Sequence, residues 1–243
     1  MEMKLPLSLA FFTTTKGHYD RKDIYKRTIN ELFEKLGGDC FSSKVAHIKV
    51  SDNDHSAAEE MAAFFSEKGI NTVVTDGEWK HYDKSHYLEH SKDICKLLSS
   101  DGVQSQPFTF WLEDDFVFKM GEGNLIDYFR QAIGYLSANS DLVSFRFLRH
   151  LTDIERISAT ATNEKHILIS PKEFSFNPNF CRSRDLYWAS RFMEREFPKS
   201  NTHIETFFRM IMQSGSKSGD IACFHPGHVC VKHIGTPIGE EEQ

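Results

Sequence analysis

The chain has 243 residues, 40% of them hydrophobic and 13% aromatic, enough to fill the core of one compact domain. Its formal net charge of −6 and the absence of a long Lys/Arg block disfavour a general nucleic-acid binder, for which counterion release needs a clustered basic surface. Five widely spaced cysteines with no CxxC pair suit reduced thiols better than a disulfide framework.

The first apolar run, "LPLSLAFFTTT", is too short to span a bilayer and is interrupted by Pro6 and Ser8. With no cleavage-site pattern after it, it reads as a β-strand, and the protein as soluble and cytoplasmic. In "KGHYDRKDIYKRTINELFEKLGG", Ile24, Ile29, Leu32, Phe33 and Leu36 recur at helical spacing before a Gly-Gly stop. "KVAHIKVSD" is a second strand, "HSAAEEMAAFFSEKG" a second helix and "INTVVTDG" a third strand. "SHYLEHSKDICKLLSS" is a helix, "FTFWLEDDFVF" a fourth strand and "NLIDYFRQAIGYLSANS" a helix. Strand and helix thus alternate four times, which predicts an α/β fold with a largely parallel sheet and crossover helices.

After Asp141 the rhythm changes. "LVSFRFLRH" reads as a strand, "EKHILISPKEFSFNPNF" as one or two strands, and "RSRDLYWASRFMEREF" and "THIETFFRMIMQSG" as helices. "IACFHPGHVCVKHIGTP" reads as a strand or a hairpin around Pro226-Gly227. No repeat or linker separates the halves, so the second is expected to be a sub-lobe of the same domain.

Ligands of such sheets sit at the carboxyl ends of the strands. The polar residues there are Thr13, Thr14 and Thr15, then Ser51 and Asp52, then Asp76, then Glu113, Asp114 and Asp115. Three adjacent carboxylates after an apolar, aromatic run repel one another, and a divalent cation is the simplest relief. Oxygen ligands of this kind suit Mn²⁺ or Mg²⁺, ions that keep waters and bridge to substrate phosphates. The alternative is a solvated acidic turn. The threonine hydroxyls, with Lys16, Arg21 and Lys22 close behind, offer donors to a phosphate or base, although threonines are also ordinary strand residues.

"LEDD" resembles the EDD variant of the DxD motif of nucleotide-sugar-dependent glycosyltransferases of the glycosyltransferase-A fold. "SLAFFTTTKGHYDRKDIYKRTINELF" looks like that family's opening strand, nucleotide-contacting loop and helix. "HIKVSDNDHS" is similar to its second strand, and "FSFNPNFCRSRDLYWASRF" to the passage after the sugar site. The resemblance covers roughly residues 7 to 237, while "SDNDHS" departs from the paired acids and Gly-Ser usual there. It implies a Rossmann-like, mostly parallel sheet flanked by helices with a C-terminal acceptor-side sub-lobe. Residues 1–140 would bind the nucleotide sugar and 141–243 the acceptor.

By the same resemblance, Asp52 contacts the nucleobase, Glu113 or Asp114 faces ribose and diphosphate, and Asp115 holds the metal with Glu113 or His233 assisting. A histidine near the chain end returns to the metal; His233 in "VKHIG" matches best, with His228 in reserve. In "CFHPGHVCVKHIG" the Cys and His spacing matches no standard zinc set. An inverting transfer needs a carboxylate base. Glu205, in the first turn of a helix with good capping residues, is the expected one, and Asp185 the alternative. Trp79, with His81 and Tyr82, is a candidate stacking platform, and Arg146 and Arg149 candidate phosphate contacts.

The implied function is metal-dependent, inverting transfer of a sugar from a nucleoside diphosphate, UDP by preference, to a glycan, protein or other hydroxyl. The alternatives are a retaining glycosyltransferase, a nucleotidyltransferase, weakened by the single Gly in "TTTKGHYDRK", and an inactive nucleotide- or sugar-binding module.

Overall fold

The computed structural model describes residues 4–15, 23–37, 39–77, 84–121, 123–164, 166–170, 178–196, 204–214 and 220–234. The first half follows the alternation of the sequence: β1 (Leu5–Thr14), α1 (Ile24–Leu36), β2 (Phe41–Val50), α2 (His55–Glu67), β3 (Asn71–Asp76), α3 (Lys84–Leu98), the short α4 (Asp101–Gln104) and β4 (Phe108–Glu113). Next come β5 (Phe116–Met120), α5 (Leu125–Ala138), β6 (Ser144–Arg146), α6 (Thr152–Arg156), β7 (Thr160–Ala161), β8 (Ile167–Ser170) and β9 (Asn179–Arg182). The chain continues through α7 (Ser183–Glu196), α8 (Ile204–Ser214), β10 (Ile221–Phe224) and β11 (Val229–His233).

Nine strands form one sheet in the order β3-β2-β1-β4-β9-β6-β10-β8-β7. All but β9 and β8 run in one direction, which makes this a Rossmann-like, mostly parallel α/β sheet. Strands of the second half thus extend the sheet begun by the first. Alternation along β1 shows why helices cover both faces. Leu7, Leu9 and Phe11 pack with residues of α1, α2 and α5, whereas Ala10 and Phe12 pack with residues of α3, α7 and α8. At the centre, Phe110 of β4 meets Phe180 of β9 and Phe129 of α5 at ring-centroid separations of 4.7 and 4.8 Å.

Two expectations change. "FTFWLEDDFVF" is not one strand, because the chain turns at Asp114 and Asp115 and β5 leaves the main sheet. Nor do β10 and β11 form a hairpin across Pro226-Gly227. β10 stays in the main sheet beside β6 and β8, while β11 crosses over to pair antiparallel with β5. Both changes have one cause, since β5 gains its ladder partner only from β11.

The five cysteines are free thiols, and burial pushes those of Cys95 and Cys223 up to about 12, which leaves them protonated and unreactive. Among the described residues no helix is long and apolar enough to cross a membrane.

Helix α3 is fastened to the sheet by a buried polar cluster. Thr75 donates to Asp93 at 3.0 Å, and Lys49 Nζ lies 3.1 Å from the other Asp93 oxygen. Because the single Thr75 proton goes to Asp93, the 3.1 Å contact with His47 Nε2 requires that nitrogen to donate. Burial drives His47 down to about 4, outweighing the pull of Asp93 in the other direction. An unfolded histidine keeps its ordinary value near 6.5, so between about pH 6.5 and 4 the unfolded chain binds a proton that the fold does not. Stability from this site is therefore complete above pH 6.5 and is lost as pH falls toward 4, by on the order of 2–3 kcal/mol. Urea unfolding at pH 7 and pH 4.5 should show a smaller acid loss in His47→Gln than in wild type. Equal losses would mean that His47 is solvated and titrates normally.

Candidate functional site

The site begins where β4 ends. Glu113 sits beside Phe12 in the β1–β4 register, and the next two residues form the turn. Asp114 points inward at 2% exposure, with its Oδ2 accepting from the Thr13 hydroxyl at 2.6 Å. Its backbone carbonyl accepts from the buried Thr28 hydroxyl of α1, also at 2.6 Å. With Asp114 held at both ends, Asp115 comes to the start of β5. There its Oδ2 lies 2.9 Å from His233 Nε2, and its carbonyl accepts from the amide of Ile234 at 2.7 Å. The β5–β11 ladder places His233 directly opposite Phe116, and its ring packs edge-on against that phenyl at 5.1 Å.

Asp115 and His233 are thus brought together across a long stretch of sequence. A carboxylate oxygen and an imidazole nitrogen make a donor pair that Mn²⁺ accepts. Their separation of 2.9 Å is the hydrogen-bond distance of an imidazole N–H to a carboxylate, and to share a cation Nε2 would first have to give up that proton. The pair fits two corners of a cation shell whose other corners would be waters and substrate oxygens. No set of three or more His, Cys, Asp or Glu among the described residues is placed to hold an ion alone. His225 and His228 lie 6.1 Å apart ring to ring, and His225 Nδ1 accepts from the Gly227 amide, so the reserve histidine is part of a local turn.

Other expected site residues divide between this edge and elsewhere. Thr13, Thr14 and Thr15 do stand at the end of β1, but their hydroxyls bond within the protein. Thr13 reaches Asp114, Thr14 reaches the Ser51 hydroxyl at 3.1 Å, and Thr15 exchanges bonds with the Ser51 backbone. These hydroxyls act as struts between strand ends. Likewise Asp114, expected to face ribose and diphosphate, is turned into the protein by its two threonine partners.

Asp52 is exposed, and both it and Asn53 have left-handed backbone, φ 55 and 57, on the way to the Asp54 cap of α2. Asp76 ends β3, exposed, with its carboxylate 3.7 Å from the His55 imidazole. Arg21 and the platform of Trp79, His81 and Tyr82 lie outside the described residues. Glu205 is in the first turn of α8, as its capping sequence predicts, but its side chain lies outside the described residues. Asp185 stands at the other end of the sheet. Arg182, 3.7 Å from it, pairs with Phe108, the first residue of β4, whereas the Asp114 turn follows the last. Five residues of strand, about 17 Å, therefore separate Asp185's end of the sheet from the carboxylate pair.

The contact of Thr28 with the Asp114 turn is one that the sequence hides, because a threonine in the middle of a helix carries no local signal. Arg146 is buried near the end of β6, and Asp153 accepts from the backbone amides of Arg149 and His150, which shapes this segment from within the chain.

No family model matches the chain, and no curated protein does. The chain is similar to a solved structure described as a glucose-1-phosphate thymidylyltransferase from Bacillus anthracis in complex with sucrose. The match covers 97% of this chain and 91% of that one, at 10% identity and a TM-score of 0.49.

Two substitutions test the local geometry. Thr13→Val removes the hydroxyl that Asp114 Oδ2 accepts from and should cost about 1–3 kcal/mol in urea unfolding; a change below about 0.5 kcal/mol would dismiss the strut. A Cβ at Gly121 would collide with the Gly227 carbonyl oxygen, next to the Gly121–His228 backbone bond. Gly121→Ala should therefore shift the β5–β11 ladder and move the His233 imidazole resonances in NMR spectra. Unmoved resonances would show that the ladder tolerates the methyl.

Proposed function

We propose that this chain is a metal-dependent transferase of nucleotide-sugar chemistry, and that it moves a sugar from a nucleoside diphosphate to an acceptor hydroxyl. The single observation that carries the proposal is the Asp115–His233 pair at the carboxyl end of a central strand, 2.9 Å apart. Asp115 and His233 would hold Mn²⁺ or Mg²⁺, with Glu113 beside them. A bound cation would offset the charge that develops on the departing diphosphate.

The chain's own residues do the rest. Thr13 and Thr28 fix the turn so that Asp115 needs no rearrangement on binding. Asp52 and Asp76 end the neighbouring strands, where the base and ribose of UDP would lie, and Arg21 would supply a cation to the same nucleotide. Glu205 would take the proton as the acceptor oxygen bonds to the anomeric carbon. The bond from that carbon to the diphosphate oxygen breaks, and its electron pair leaves with the diphosphate. A single displacement of this kind inverts the anomeric centre. Residues 141–243 would form the acceptor side, for a glycan, a protein or another hydroxyl.

Nucleotidyl transfer is a second reading. In it a sugar-phosphate oxygen attacks the α-phosphorus of a nucleoside triphosphate and pyrophosphate leaves. One observation favours it: Asp185, one of two candidate bases, stands at the far edge of the sheet, and an attacking phosphate needs no base.

With Mn²⁺ present, UDP is expected to raise the melting temperature by several degrees, and EDTA or Asp115→Ala should abolish the shift. UDP release from a UDP-sugar, dependent on acceptor and on Glu205, would support glycosyl transfer. Pyrophosphate release from a nucleoside triphosphate with a sugar 1-phosphate would support the second reading. No nucleotide effect with any metal would reduce "LEDD" to a structural turn and end both.

A further inference from the structure

Between α7, α8 and the chain entering β6 lies a cavity of about 800 Å³, within the range of small-molecule sites. Its walls include Arg182 and Leu142, which place it at the end of the sheet where β4 and β6 begin. The Asp115–His233 pair is at the other end, so the cavity is a separate place from the site above and independent of the function proposed for it.

One face of α7 supplies its chemistry. Arg184, Trp188, the adjacent Arg191 and Phe192, and Arg195 recur at three- to four-residue spacing, and all line the cavity. Trp188 is 60% exposed and Phe192 43%, an unusual display of aromatic surface for neighbours one turn apart. The Arg195 guanidinium lies 5.1 Å from the centre of the Phe192 ring. Arg184 makes no hydrogen bond or ion pair with any described residue. Arg191 and Arg195 are met by Glu194 and Glu196 of the same helix, at 2.8 and 2.6 Å, in solvent-exposed pairs that an incoming anion can displace. Arg182 differs, because its guanidinium donates to the carbonyls of Leu136, Asn139 and Leu142 and so forms a fixed wall. Asp185, the acid among the described lining residues, follows Arg184 in the chain and sits 3.7 Å from that wall.

Flat aromatic faces interleaved with displaceable guanidiniums are complementary to a ligand with a π-face at one end and phosphate at the other. We infer that this cavity is a second binding site, for one nucleotide. Its base stacks on Trp188 and Phe192 with Arg191 beside it, and its phosphates are met by Arg184 at the start of the stripe. The volume suits a single nucleotide, and nothing in the site calls for a metal.

The test uses the full chain carrying Asp115→Ala, in EDTA, so that metal-dependent binding at the carboxylate edge makes no contribution. Calorimetry and tryptophan fluorescence are followed with ADP, UDP, inorganic pyrophosphate and a short single-stranded oligonucleotide. ADP or UDP should bind with quenching of fluorescence and should weaken as salt rises. Trp188→Ala and the pair Arg184→Gln with Arg191→Gln should each weaken binding about tenfold. These side chains are on the surface, so unchanged melting curves would show that the fold is intact. Four results would overturn the assignment: no nucleotide binding up to millimolar concentration, binding indifferent to both variants, pyrophosphate binding as tightly as ADP, or the oligonucleotide binding more than about tenfold tighter than ADP.

Discussion

The candidate site depends on the way two threonines grip Asp114. A buried carboxylate with nothing to accept from would be costly, and Thr13 and Thr28 supply donors from a neighbouring strand and from the first helix. With side chain and carbonyl of one residue both held, β4 cannot continue past Glu113. The chain must turn, Asp115 emerges at the turn's far side, and the apolar run after it is redirected away from the main sheet. Without this grip the stretch would have every local reason to remain a single strand.

The redirected strand brings a second constraint. β5 needs a ladder partner, and β11 provides one, so the same backbone pairing that completes a small sheet also brings His233 to Asp115. Fold and chemistry are joined in that pairing. The metal ligands proposed here come from two segments with no local relation, and their separation is fixed by backbone hydrogen bonds on both sides, including the Ile234 amide to the Asp115 carbonyl. Such pre-organisation is what a weakly held, substrate-bridged cation requires.

The first half of the fold was legible because periodicity acts locally: Ile24, Ile29, Leu32, Phe33 and Leu36 recur at helical spacing before the Gly-Gly stop, and the helix runs from Ile24 to Leu36. The acidic turn and His233 were legible as residue types at strand ends. What escaped was decided by distant partners. Phe116, Val117 and Phe118 look the same whether they extend β4 or start a new strand, and the grip on Asp114 and the ladder to β11 together settle which. Pro226-Gly227 signals a turn but says nothing about whether the flanking strands pair with each other. A helix N-terminus favours an acid wherever it lies, so Asp185 and Glu205 looked alike until the register of β9 placed the first at the far edge. Three threonine hydroxyls read equally well as ligand donors and as struts, and their neighbours made them struts.

The β5–β11 ladder also orders events in time. During synthesis the main parallel strands and their helices become available well before β11 does, so much of the core can collapse while Asp115 still lacks its histidine. Closing that ladder is a long-range step with a high entropic cost of loop closure, of the kind that forms late in folding. A partly folded chain would therefore carry the sheet and an exposed, unpaired β5 edge, but no assembled ligand pair. Under the proposed function, competence to hold a cation would arrive together with the covering of that edge, and the site would be a readout of completed folding.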